Sequence, residues 1–102
     1  MITLQMKLKP ETERRLQRIL DAYADKEILA QNIIAYQISE LKKAIINIHV
    51  DLKRFEEKYK LSTQQFYEKF EDGSLGDEED YIIWSGIYEM YLENNKKLEA
   101  LE

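Results

Sequence analysis

The sequence predicts a mainly α fold: one short N-terminal strand, then helices, the second of them long. Three observations predict it. Only three Gly and one Pro occur in 102 residues, too few punctuators for a chain of many short strands. Apolar residues alternate with polar ones from Ile2 to Lys9. A regular apolar seam then runs from Ile34 to Tyr59 with no Gly or Pro inside it.

Ile2, Leu4, Met6 and Leu8 alternate with Thr3, Gln5, Lys7 and Lys9, the period of a half-buried strand. A lone strand leaves its backbone N–H and C=O groups without partners. The expected answer is the same strand of a second molecule, antiparallel across a twofold axis. Pro10 stops the strand and suits the first turn of a helix, with Glu11 and Glu13 favourable at its positive end. Leu16, Ile19, Leu20 and Tyr23 give that first helix one apolar face of about four turns.

Asp25 is the expected N-cap of the second helix, which reaches to about Lys60. In its seam Ile38, Ile45, Leu52 and Tyr59 hold one heptad position, and Ile34, Leu41, Ile48 and Phe55 the other. About 35 residues at 1.5 Å each make a rod on the order of 50 Å. A partner chain, the C-terminal helices, or both must cover its seam. Ser62-Thr63-Gln64-Gln65 has the form of a capping box, and Phe66, Tyr67 and Phe70 follow on one face. Glu71 to Gly76 reads as a turn, with Asp77 expected to cap the last helix. Tyr81, Trp84, Ile87, Tyr88, Tyr91, Leu98 and Leu101 form its apolar stripe.

The charge is lopsided. Residues 1–60 hold 12 Lys/Arg and 9 Asp/Glu, whereas residues 61–102 hold 3 and 11. A mildly basic front and a tail of net charge -8 suit different partners. The chain contains no cysteine, so neither a disulfide framework nor a thiolate metal site is available, which fits a cytoplasmic location. Its start is too polar for a secretory signal, and no apolar run reaches membrane-spanning length. No membrane association is expected.

Catalytic chemistry finds little support. His49 is the only histidine, and Ile46 rather than Glu lies three residues before it, so no metal-binding Glu-x-x-His pair forms. The stretch from Asp72 to Asp80 superficially suggests a calcium loop, but its sixth position is Asp77 instead of Gly and its twelfth is Ile83 instead of Glu. No phosphate-binding glycine loop occurs. The expectation is a protein that is not an enzyme, with no catalytic residue, metal, cofactor or small-molecule substrate.

The strand, then Leu8-Lys9-Pro10-Glu11-Thr12-Glu13, Leu16 and the Ile19-Leu20 pair resemble the start of ribbon-helix-helix proteins over roughly residues 1–45. That family comprises dimeric DNA-binding regulators, many of them antitoxins of prokaryotic type II toxin–antitoxin modules. Phe55-Glu56-Glu57-Lys58-Tyr59, Leu61-Ser62, Phe66, Phe70-Glu71-Asp72-Gly73, Leu75-Gly76-Asp77 and Asp80 to Trp84 are similar to the tails of antitoxins paired with TumE-type toxins. Where the family often has Gly and Ser or Thr between its helices, this chain has Ala24-Asp25-Lys26-Glu27. That departure places carboxylates where the family meets phosphate.

The resemblance implies a homodimer that binds operator DNA as an autorepressor through residues 1–45 and neutralises a cognate toxin through a helical acidic extension, residues 46–102. Ile2, Leu4, Met6, Leu8, Leu16, Ile34, Ile38 and Leu41 are the expected dimerisation residues. Thr3, Gln5 and Lys7 on the ribbon's outer face are expected to reach base edges. Arg14, Arg15 and Arg18 add positive charge, and Lys26 lies at a helix start suited to phosphate. Phe66, Tyr67, Phe70, Trp84, Ile87, Tyr88 and Tyr91 are the expected toxin anchors. The alternative for these aromatics is a core packed on Leu52, Phe55 and Tyr59. The alternative for the whole chain is a dimeric helical adaptor that binds no DNA.

Overall fold

The computed structural model describes residues 1–102. All of its regular structure is helical: α1 Pro10–Ala22, α2 Lys26–Tyr59, α3 Thr63–Glu71 and α4 Glu79–Leu101. The mainly α expectation holds. The N-terminal strand, and with it the ribbon-helix-helix architecture, is overturned, because residues 1–9 form no regular secondary structure and no strand occurs anywhere in the chain. Alternation specifies which side of a segment is apolar but supplies no ladder partner, and an extended segment without one has no cross-chain hydrogen bonds to hold it. Ile2, Leu4 and Met6 are accordingly 82%, 75% and 60% exposed.

The chain divides into two units, Met1–Ala35 and Tyr36–Glu102. In the first, Pro10 occupies the opening turn of α1 as expected, with Glu11 and Glu13 in that turn. Asp25 caps α2, its Oδ1 accepting from the backbone N–H of Glu27 at 2.9 Å. This unit has no buried residue: Leu16, Leu20, Tyr23 and Leu29 are half-buried and the rest are exposed.

The second unit has a true core. Ile48 and Leu52 of α2, Phe66 of α3 and Trp84 of α4 are its buried apolar members. Phe55, Tyr59, Leu61, Tyr67, Phe70, Leu75, Tyr81, Ile87, Tyr88 and Tyr91 pack around them. Four seam positions of α2, Ile48, Leu52, Phe55 and Tyr59, thus face α3 and α4 within one chain. Farther up the seam Leu41 and Ile38 are half-buried, and in the first unit Ile34 is 46% exposed.

The turns of this unit follow their local chemistry. Helix α2 ends with Lys60 in the left-handed region at φ 54°, and the N–H of Leu61 donates back to the Glu56 carbonyl at 3.3 Å, the closure of a Schellman-type end. A side chain in that region carries a steric penalty that glycine avoids. Lys60→Gly is therefore expected to stabilise the unit by about 1 kcal/mol, read as a higher midpoint in urea unfolding.

Ser62 caps α3, its Oγ accepting from the Gln65 N–H at 3.2 Å. The neighbouring Thr63 N–H donates to the Glu56 carboxylate at 2.7 Å, so a carboxylate from α2 caps the start of α3. Gly73 makes the following turn at φ 79°. The last helix starts later than expected: its N-cap is Glu78 rather than Asp77, and no side chain caps it. Backbone bonds from Tyr81 and Ile82 to the Glu78 carbonyl close that end instead.

Candidate interaction surfaces

The most ordered chemistry in the molecule surrounds Trp84. Its ring stacks on Phe66 at 3.8 Å between centroids and 5° between planes. Phe55 and Tyr59 stack at 5.4 and 5.7 Å. Burying the indole requires a partner for its N–H, and Nε1 donates to the Thr63 hydroxyl at 3.0 Å. Thr63 is itself buried, so α3 and α4 are joined by a hydrogen bond screened from water. No buried side-chain nitrogen or oxygen lacks a partner.

Two polar staples close the edges of this unit. Asp80 Oδ2 accepts from Lys58 Nζ at 2.7 Å and from the Tyr59 hydroxyl at 2.5 Å. The Lys58 hydrogen bond, then that of Tyr59, holds the Asp80 carboxyl below the ordinary carboxylate value. The Tyr67 hydroxyl donates to Glu89 at 3.0 Å. That bond, helped by desolvation and by Glu71, pushes the Tyr67 phenol up to about 12.

These shifts give opposite pH responses. A raised phenol favours the fold fully below its ordinary value of 10.0, and the contribution is lost as pH rises towards about 12. A lowered carboxyl contributes above its ordinary 3.8, and the contribution is lost as pH falls through the depressed value. The Tm of the second unit is expected to drop between pH 10 and 12. Tyr67→Phe should flatten that drop, as thermal melts across the alkaline range would record.

The residues expected to anchor a toxin sit mainly inside this unit. Phe66 and Trp84 are 0% exposed, and Tyr67, Phe70, Ile87, Tyr88 and Tyr91 pack against the core. Two large apolar side chains at full burial leave a partner nothing to grip in this conformation. The outer face of α4 presents other apolar groups: Ile82 at 54%, Ile83 at 44% and Met90 at 54% exposed. These residues flank the aromatic stripe, and their signal in the sequence is that Ile82 and Ile83 break the polar pattern beside it.

In the first unit the expected base-reading residues Thr3, Gln5 and Lys7 are exposed on the irregular N-terminal segment, so no paired ribbon presents them. Arg14, Arg15 and Arg18 are exposed along α1. Lys26 takes a different role from the one expected. Its Nζ donates to the Leu20 carbonyl and, at 2.5 Å, to the Tyr23 carbonyl, capping the negative end of α1. Asp25 meanwhile occupies the Glu27 amide at the start of α2. The expected dimerisation residues Ile2, Leu4, Met6, Leu8 and Ile34 are exposed, and Leu16, Ile38 and Leu41 are half-buried. Ile19, Ile28 and Ile33 join them at 48%, 49% and 56%.

No helix is long and apolar enough to cross a membrane. His49 is an exposed residue of α2. No protein-family model, curated protein or solved structure matches the chain.

Proposed function

We propose that the protein is a homodimeric antitoxin of the prokaryotic type II kind. Its first unit pairs with a second copy and meets operator DNA, and its acidic second unit holds and neutralises a basic toxin. The observation that carries this reading is the contrast between the units. Met1–Ala35 holds no buried residue yet exposes Ile2, Leu4, Met6, Ile19, Ile28, Ile33 and Ile34. An apolar surface of that extent on a small unit calls for a partner, and a second copy supplies the same surface in a twofold arrangement.

Charge supports the rest. The exposed Arg14, Arg15 and Arg18 suit phosphate. A tail of 11 Asp/Glu against 3 Lys/Arg suits the basic face of an RNA-directed toxin. The similarity of residues 55–84 to the tails of antitoxins paired with TumE-type toxins points the same way.

A second reading, a dimeric helical adaptor that binds protein alone, is favoured by Lys26 capping α1 and by Asp25 and Glu27 at the start of α2. Binding to the DNA upstream of the gene separates the two. The antitoxin reading expects affinity above that for random DNA, falling steeply with salt and reduced in an Arg14→Ala, Arg15→Ala, Arg18→Ala variant. Equal affinity for both DNAs sinks the repressor part and leaves the adaptor.

A further inference from the structure

Gly86 has no explanation within its own chain. It lies in the middle of α4, where glycine weakens a helix relative to alanine. A Cβ added there would meet nothing within 4 Å, so no close packing in this molecule requires its absence. Its backbone conformation is helical, so no turn requires it either.

Its surroundings point outward. Helical spacing puts Ile82 and Ile83 one turn before Gly86 and Met90 one turn after it, on the face opposite Trp84 and Tyr88. All three are about half exposed. The same face carries Glu79 and Glu93, the latter paired with Lys97 at 3.5 Å, with Glu89, which accepts from Tyr67, at its edge, and α4 has no cation before Lys96. A notch of bare backbone with apolar side chains above and below it admits a second helix closely, since interaxial distance is set by the side chains at the crossing. The acidic flanks choose a basic occupant over a second copy of this equally acidic surface.

We propose that this outer face of α4, centred on Gly86, is where the second unit seats its partner, and that the seated element is an amphipathic basic helix of the toxin protein. An apolar side chain of that helix lies against Gly86 between Ile82 and Met90. Its Lys or Arg residues meet Glu79 and Glu93. This rests on the antitoxin reading above and names the surface that serves it.

The test is titration calorimetry of the full-length protein with the purified product of the neighbouring gene. Gly86→Gln places a solvated, helix-favouring side chain in open space. It should leave the Tm unchanged or raised while weakening binding roughly tenfold or more. Met90→Ser, which leaves the backbone alone, should weaken binding by roughly fivefold or more. Ile46→Ser, an exposed apolar position on α2, should leave binding unchanged.

If wild type binds and both α4 variants bind within about twofold of it, the surface is wrong and the antitoxin reading survives. If wild type does not bind, the antitoxin reading falls and this inference falls with it. If Gly86→Gln instead changes the self-association of the protein, the face belongs to a second copy and the inference is overturned.

Discussion

Trp84→Ala is expected to unfold most of the second unit. The indole is fully buried, stacks on three rings and spends its N–H on the buried Thr63 hydroxyl. Truncating a buried Trp to Ala costs about 3–5 kcal/mol. Leaving a buried hydroxyl short of its partner adds about 1 kcal/mol or more. A unit of this size holds only several kcal/mol of stability, at roughly 0.05–0.15 kcal/mol per residue. The Tm should therefore fall by roughly 15 °C or more, with loss of near-ultraviolet circular dichroism from the aromatic cluster. Trp84→Phe keeps a ring in the stack and should lose much less. A Trp84→Ala protein that melts within about 3 °C of wild type would show that the stack is not the centre of this unit.

Ile34→Glu is expected to convert the protein from dimer to monomer. Ile34 is about half exposed in the single chain, and Ile28 and Ile33 of the same unit are exposed as well. A carboxylate at that position costs little in the monomer, where water reaches it. In a paired apolar interface it must be desolvated without a partner, at a cost of several kcal/mol. The dimer dissociation constant should rise roughly a hundredfold or more, measured by sedimentation equilibrium. Because Met1–Ala35 has no buried residue of its own, α1 should lose protection against hydrogen exchange when the dimer is lost. The second unit, whose core does not involve Ile34, should keep its protection. A wild-type protein that is monomeric at tens of micromolar would remove the basis for this prediction.

Local chemistry made the helices legible. Pro10 opening α1, Asp25 before α2 and Ser62 before α3 act through their immediate neighbours, so their roles survive in any context. The seam positions Ile48, Leu52, Phe55 and Tyr59 were also readable, because spacing alone puts them on one face of α2. The segment from Ile2 to Leu8 was not. Its alternation fits a strand, but strand formation needs a ladder partner that a local pattern does not contain. Asp77 failed as the cap of α4 for a smaller reason: four acidic residues stand in a row from Asp77, and the helix begins after Glu78.

The candidate surfaces divide along the same line. An aromatic stripe says that a helix has an apolar face but not whether that face is turned to its own chain or to another. Phe66 and Trp84 went inward because α2 and α3 bring Phe55, Tyr59 and Thr63 to them. Lys26 reads as a phosphate-facing cation until the α1 carbonyls of Leu20 and Tyr23 are seen to converge on its ammonium. Gly86 is the opposite case. Its oddity is visible in the sequence, but only the empty space around it shows that nothing in this chain needs it.

The most direct measurement is the binding and growth effect of the protein encoded next to this one. The neighbour is expected to be basic, to slow growth when expressed alone, and to form a stable, salt-sensitive complex with this chain that restores growth. A neighbour that leaves growth unaffected and does not bind this chain would contradict the antitoxin assignment.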